Sequence, residues 1–183
     1  LYTGQMCTAP QNVFVPEQIS TDEGVLSFDE FADRLAAAIT RLTADEAKAV
    51  EVTGATVNPQ VRANSTAHEE IAAKTGGRVV LASRPVTHPA YPDAVCRTPG
   101  LVAVAAGDQA VYCKEWFGPV VFLIRTGSTA ESLALFTSTI IEHGAMTAAV
   151  YSTDEEILDD ARDAAAEAGV NLSENLTQGI YVN

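Results

Sequence analysis

The sequence predicts an α/β fold in three layers, with a mainly parallel sheet and helices on both faces. Apolar, β-branched runs of four to six residues are typical of strands buried on both sides. These runs alternate with segments of helical periodicity, several of which stop at a glycine. Strands and helices in this alternation favour right-handed parallel units, and 183 residues are enough for one domain with a sizeable core.

The first quarter of the chain predicts a strand and a long helix. Residues 12–15 form the strand, which Pro16 ends, and Ser27 with Glu30 forms a capping box that begins the helix. One face of that helix is apolar and should pack on a sheet. Its members are Phe28, Phe31, Leu35, Ile39 and Leu42.

Two shorter helices and a strand follow. Capping patterns at Thr43 and Thr66 begin the helices, and Gly76 ends the second of them. Residues 54–64, which are polar and contain a proline, should be irregular between them. Residues 78–82 then predict a buried strand.

The second half is more regular. Residues 84–100 are rich in proline and predict a loop or hairpin, whereas residues 101–105 and 120–124 predict strands, the latter central because it is the most apolar run. After these come a helix from Ser128, capped with Glu131, and three further elements. In that helix Leu133, Phe136 and Ile140 should face inward, and Gly144 should end it. The three further elements are a strand at residues 147–151, a helix that is capped by Thr153 and runs to about residue 168, and a strand at residues 179–182.

Charge and composition exclude several classes of partner. The net charge of −13 disfavours binding to nucleic acid, and no apolar run approaches the length of about 20 residues that a membrane helix needs. Three cysteines, Cys7, Cys96 and Cys113, have no metal-like spacing, so no metal is expected. An odd count of unpaired thiols fits a reducing cytoplasm.

Cys7 stands out because it lies between Gly4 and Pro10, just before the first strand. A thiol beside a tight turn can be presented near backbone N–H groups, which stabilise a thiolate and the oxyanion formed when that thiolate attacks a carbonyl. The alternative is a small buried cysteine, which is common in protein cores. Spacing alone leaves both interpretations open.

Residues 4–9, Gly-Gln-Met-Cys-Thr-Ala, resemble the catalytic cysteine signature of the aldehyde dehydrogenase superfamily. Residues 115–119, Glu-Trp-Phe-Gly-Pro, resemble the family's second signature, and residues 179–183, Gly-Ile-Tyr-Val-Asn, resemble the strand that closes its catalytic domain. The resemblance spans residues 1–183 and implies an aldehyde dehydrogenase catalytic domain.

This resemblance implies a role for three residues. Cys7 is the expected catalytic nucleophile, which carries a thiohemiacetal and then a thioester, and its backbone N–H is expected to donate to the oxyanion. Glu115 and Phe117 are the expected cofactor-binding residues, the carboxylate on the ribose and the ring beside the nicotinamide. The implied cofactor is NAD or NADP, and the implied substrate is a small-molecule aldehyde.

The resemblance also has gaps. No segment resembles the family's Leu-Gly-Gly stretch with its general-base glutamate, its upstream oxyanion asparagine or a glycine-rich phosphate loop. The chain is therefore expected to be a catalytic-domain fragment that lacks the cofactor domain and a C-terminal strand, and to be inactive alone. The full-length protein is expected to be a homo-oligomer.

Residues 6–12 resemble the aldehyde dehydrogenases of phenylacetate degradation, which implies a coenzyme A-linked semialdehyde as a candidate substrate. Two alternatives to a dehydrogenase remain. A non-catalytic assembly module would bury Cys7, and a stand-alone thiol hydrolase would need a base near it, for which the sequence has no recognisable cysteine, histidine and asparagine pattern.

Overall fold

The computed structural model describes residues 2–177. Its strands are β1 Asn12–Pro16, β2 Gln18–Thr21, β3 Gly24–Ser27, β4 Arg78–Leu81, β5 Pro85–Val86, β6 Cys96–Arg97, β7 Gly100–Ala105, β8 Val120–Thr126, β9 Ala148–Val150 and β10 Leu172–Glu174. Its α-helices are α1 Phe28–Leu42, α2 Glu46–Thr53, α3 Pro59–Asn64, α4 His68–Thr75, α5 Gln109–Tyr112, α6 Thr129–His143 and α7 Glu155–Ala168. A 3₁₀ turn at Tyr2–Gly4 precedes them.

The central sheet confirms the predicted fold class. Among the described residues, four strands lie in the order β1-β8-β7-β4. Strand β8 pairs in parallel with both β1 and β7, and β4 pairs antiparallel with β7 at the edge. Strand β8 is therefore central, as its apolar sequence predicts, because both of its edges are hydrogen-bonded.

Helices cover both faces of this sheet. Leu101 and Leu123 point to one face, where they pack with Phe28 and Ala32 of α1. The alternate side chains of β7 and β8 pack on the other face with Ile71 of α4 and Tyr112 of α5. These alternate residues are Val102, Val104, Val120, Phe122 and Ile124. The alternation of side chains along each strand thus produces two cores from one sheet.

Helix α1 forms as predicted, with one exception. The Ser27 side chain and the Glu30 backbone and side chain make the predicted capping box. The inward face packs on the sheet through Phe28, Phe31 and the residues one and two turns further on. Leu42 is wrong as an inward residue because 59% of its surface is exposed at the end of the helix.

Three predicted caps are wrong. Asp45, rather than Thr43, caps α2, and Asp154, rather than Thr153, caps α7. Ala67 precedes α4 without any side-chain cap, whereas Thr66 bonds back to a carbonyl. In the first two cases, a carboxylate close in sequence to the predicted threonine accepts the hydrogen bond from the first turn instead.

The middle of the chain is more ordered than predicted. Residues 54–64 contain α3, which begins with Pro59 at the first helical position, where its missing N–H costs nothing, and is capped by Asn58. Strand β4 is half-buried, not buried, because it lies at the sheet edge. The proline-rich residues 84–100 form the predicted hairpin through β5 and β6.

Other short elements were not predicted. Hairpin β2–β3 and helix α5 join the predicted elements, and β10 pairs in parallel with β9. In α6, Leu133, Phe136 and Ile140 are only half-buried; Ser132 is the buried residue of that helix. The predicted strand at residues 179–182 lies outside the described residues. None of the helices within residues 2–177 has the length and apolar character needed to cross a membrane.

Candidate active site

Cys7 lies at the surface in a tight turn. The turn is closed by the Ala9 N–H, which donates to the Met6 carbonyl at 2.9 Å and leaves Cys7 and Thr8 as its central residues. Cys7 and its neighbours Met6 and Thr8 are exposed. The thiol is therefore presented to the exterior of the described residues, which is one of the two interpretations that the spacing leaves open.

The residues before this turn are held by the loop after α2. Thr3, which is buried and left-handed at φ 59°, donates its hydroxyl to the Gly54 carbonyl at 2.8 Å. Gln5 donates to the Ala55 carbonyl at 2.7 Å and accepts from the Val57 N–H at 2.8 Å. Side chains on both sides of Gly4 therefore seat the cysteine segment on the same loop.

Backbone contact joins the two segments that the sequence singles out. The Gly118 N–H donates to the Gly4 carbonyl at 3.1 Å, across more than a hundred residues of chain. Gly4 has φ +62° and Gly118 has φ +143°, both unfavourable for a side chain. A Cβ at Gly4 would lie 2.5 Å from the Gly118 carbonyl carbon, so only glycine permits this approach.

Glu115 and Phe117 lie on the loop that leads into β8, next to the cysteine segment. Both residues are exposed, with 38% of the Phe117 surface accessible. Trp116 between them turns inward: its ring packs edge-on against Phe122 and its Nε1 donates to the Val111 carbonyl at 2.9 Å. The loop thus alternates an outward carboxylate, an inward indole and an outward ring.

The backbone of this loop is pinned by two carboxamides. Gln11 accepts from the Trp116 N–H at 2.8 Å and donates to the Lys114 carbonyl at 3.0 Å, so its amide reaches the residues on either side of Glu115. Asn64, which is buried, donates to the Phe117 carbonyl at 3.0 Å. Together with Gly118 N–H, these bonds hold four backbone groups around Glu115 and Phe117.

His68 backs the same loop from the interior. Its ring lies against Gly100, where an added Cβ would sit 2.5 Å from the His68 Cε1. Burial lowers the pKa of His68, and nearby backbone groups of Pro119 and Gly100 oppose that shift. No acceptor among the described residues satisfies hydrogen-bond geometry with its buried Nε2. This histidine is therefore a neutral packing residue behind the loop.

The other two cysteines have different surroundings. Cys96 is buried and Cys113 is half-buried, and burial raises the pKa of each thiol. A raised thiol pKa lowers the thiolate fraction at neutral pH. Within residues 2–177, no three histidine, cysteine, aspartate or glutamate side chains are grouped as metal ligands would be.

The structure therefore brings Cys7, Glu115 and Phe117 onto two segments that touch at Gly4 and Gly118. Sequence reasoning did not identify Gln11 or Asn64. Gln11 lies close to the first signature, which was the one available signal, whereas Asn64 lies far from both. Their bonds span 105 and 53 residues and leave no local pattern.

Comparisons with known proteins give a consistent result. The model of the aldehyde dehydrogenase family matches residues 1–180. A solved NAD-dependent aldehyde dehydrogenase from Burkholderia multivorans is 47% identical with a TM-score of 0.90, over 99% of this chain and 32% of that one. No curated protein matches the chain.

More distant structures show the same fold. An NAD-dependent benzaldehyde dehydrogenase from Corynebacterium glutamicum is 21% identical with a TM-score of 0.63, over 95% of this chain and 34% of that one. A succinic semialdehyde dehydrogenase from Streptococcus pyogenes, solved with NADP⁺, is 20% identical with a TM-score of 0.60, over 94% and 34%. The chain spans about a third of the length of these structures.

Proposed function

Since the chain belongs to the aldehyde dehydrogenase family, we propose that the protein containing it oxidises an aldehyde with NAD⁺ or NADP⁺ and that Cys7 is the nucleophile. The observation that carries the proposal is the backbone contact between Gly4 and Gly118, which joins the segment of the exposed Cys7 to the loop of the exposed Glu115 and Phe117. A nucleophile and a cofactor surface must adjoin for hydride transfer.

Cys7 performs the covalent step in this proposal. Its thiolate Sγ attacks the aldehyde carbon, a C–S bond forms, and the carbonyl π pair moves to the oxygen. The backbone N–H of Cys7, a central residue of the turn, donates to that oxyanion in this proposal. An acceptor, water or coenzyme A, later attacks the resulting thioester carbon and releases Sγ as a thiolate.

Glu115 and Phe117 fit a nicotinamide cofactor. The exposed carboxylate offers two acceptor oxygens for a pair of ribose hydroxyls, and the exposed ring offers a flat apolar surface. Held by these two residues, an oxidised nicotinamide would supply the hydride acceptor that oxidation of the thiohemiacetal carbon to the thioester needs. Glu115 orients the ribose, and Phe117 restricts how the ring can lie.

The remaining parts of the site are assigned to the rest of the protein. The chain spans about a third of its structural relatives, and none of its segments resembles the family's general-base glutamate or phosphate loop. We therefore assign residues 1–183 to the catalytic domain and expect little or no NAD(P)H production from these residues alone. Robust production by the isolated chain would contradict this assignment.

Finer assignments rest on narrower support. The substrate class, an aldehyde or coenzyme A-linked semialdehyde of aromatic-acid breakdown, rests on residues 6–12 alone. A homo-oligomer is implied by family resemblance, and a cytoplasmic location by the free cysteines. A panel of aromatic and acyl-coenzyme A aldehydes tests the substrate class, and light scattering of the whole protein tests the homo-oligomer.

The exposure of Cys7 counts against the non-catalytic assembly module, which would bury that residue. The test compares NAD(P)H production by the whole protein with Cys7→Ser and, as a matched control, Cys113→Ser. We expect Cys7→Ser to lose at least about a thousandfold in kcat, because the nucleophile is removed, and Cys113→Ser to retain activity. Equal activity in the two variants would refute the role of Cys7.

A further inference from the structure

We propose that Gln11 is a positioning residue that fixes the Glu115 carboxylate relative to Cys7, so that the ribose of the nicotinamide cofactor meets a prearranged acceptor. Gln11 lies four positions after Cys7 in the sequence. The proposal rests on the proposed function and concerns a residue that is outside both signature motifs.

The carboxamide of Gln11 brackets Glu115. Its Oε1 accepts from the Trp116 N–H at 2.8 Å and its Nε2 donates to the Lys114 carbonyl at 3.0 Å. The same Nε2 lies 3.0 Å from the Tyr112 carbonyl, to which it also donates. Both peptide groups that flank Glu115 in the chain are therefore engaged by one side chain.

Gln11 is itself firmly seated. Its own carbonyl accepts from the Phe122 N–H at 2.8 Å, at the point where β1 begins to pair with the central strand β8. The side chain is half-buried. Gln11 is therefore fixed by the central sheet through its backbone, and its side chain holds the loop around Glu115 in place relative to that sheet.

Among residues 2–177, the Glu115 side chain has no comparable restraint of its own. Its side chain is exposed, so its direction depends on the backbone that carries it. When that backbone is released, the carboxylate can adopt orientations in which it does not contact the ribose hydroxyls. Cofactor binding then weakens, because the carboxylate must be ordered when the cofactor binds. The aldehyde, which reacts at Cys7 on the other segment, should be much less affected.

Asn12 provides a matched control. Its Nδ2 donates to the same Tyr112 carbonyl at 3.0 Å and its Oδ1 accepts from Gln11 Nε2 at 3.3 Å, yet within residues 2–177 its side chain bonds to neither peptide group beside Glu115. Asn12→Ala and Gln11→Met both remove a carboxamide from the start of β1. Only Gln11→Met releases Lys114 and Trp116.

The experiment uses the whole protein and measures KM for NAD⁺ or NADP⁺, KM for the aldehyde and the dissociation constant of each cofactor by calorimetry. For Gln11→Met we expect the cofactor KM and dissociation constant to rise about tenfold, because one or two of the hydrogen bonds that orient the backbone of Glu115 are lost. The aldehyde KM should stay within about twofold. Asn12→Ala should leave all three values within about twofold.

Hydrogen exchange of the Trp116 amide is the second readout, and it does not depend on activity. It should accelerate in Gln11→Met, which removes the acceptor of the Trp116 N–H. It should stay slow in Gln11→Glu, whose carboxylate can still accept from that N–H, and in Asn12→Ala. An unchanged cofactor KM in Gln11→Met, with a wild type that turns over, overturns this proposal alone. An equal rise in Asn12→Ala overturns it too, because the effect would then be general destabilisation. A wild type that binds neither cofactor overturns the proposed function, and this proposal with it.

Discussion

Replacing Gly4 by alanine should break the contact that joins the two halves of the site. A Cβ there would lie 2.5 Å from the Gly118 carbonyl carbon and 3.2 Å from the Pro119 nitrogen, whereas ordinary contacts begin near 3.4 Å. The two segments would have to separate by roughly 1 Å, which stretches the 3.1 Å bond from the Gly118 N–H to the Gly4 carbonyl beyond hydrogen-bonding range.

The expected loss in the free energy of unfolding of Gly4→Ala has three parts. A left-handed alanine at φ +62° costs about 1–2 kcal/mol, the lost hydrogen bond about 1 kcal/mol, and the overlap about 1–3 kcal/mol. Gly76→Ala is the matched control, because Gly76 has φ +67° and nothing within 4 Å of an added Cβ. That variant should lose only the first part.

Chemical denaturation followed by circular dichroism measures the free energies of unfolding of Gly4→Ala and Gly76→Ala. Gly4→Ala should be about 2–4 kcal/mol less stable than Gly76→Ala. Alkylation of Cys7 by iodoacetamide should change in rate in Gly4→Ala and stay at the wild-type rate in Gly76→Ala. Equal stability of the two variants, with an unchanged Cys7 rate in both, would refute the claim that this close approach holds the site together.

Three further predictions concern packing and charge. Because burial lowers the pKa of His68, the folded state favours the neutral ring. The contribution of His68 to the free energy of unfolding should be fully present above pH 6.5 and be lost as the pH falls through the lower pKa of the folded state. The midpoint of urea unfolding, measured from pH 8 to 5, should therefore fall less steeply in His68→Gln than in the wild type. Gly100→Ala, which would place a Cβ 2.5 Å from His68 Cε1, should cost about 2–4 kcal/mol in the free energy of unfolding, whereas Gly107→Ala, with nothing within 4 Å, should cost under about 1 kcal/mol. Cys7→Ser should change that free energy by no more than about 0.5 kcal/mol, since the thiol is exposed; a larger loss would show that the turn depends on it.

Patterns that depend on near neighbours in sequence predicted the fold well. The apolar run of β8 predicted a central strand, and the capping box at Ser27 predicted the start of α1. Caps failed where two polar residues competed, as at Thr43 and Asp45, because the pattern cannot rank hydroxyl against carboxylate. The helix at Pro59–Asn64 is not evident from the sequence, because a proline in a polar segment is typical of a break, whereas this one stands in the first turn of the helix.

The candidate site was predictable only in part, for a different reason. The signatures around Cys7 and Glu115 are local sequences and could be recognised. The supports are not local: Gln11 reaches Trp116 across 105 residues, and Asn64 reaches Phe117 across 53. Nothing in the spacing of such a pair indicates that the two will meet until the sheet has brought β1 and β8 together.

The most direct test of Cys7 as the nucleophile is acid-quenched mass spectrometry of the whole protein after mixing with an aldehyde and oxidised cofactor. Peptide mapping then shows which cysteine carries the added acyl mass. The proposed mechanism predicts the adduct on Cys7 and none on Cys96 or Cys113, whose thiol pKa values burial raises. Turnover of the aldehyde with the adduct on another residue, or with Cys7 unmodified under quench conditions that preserve thioesters, would contradict it.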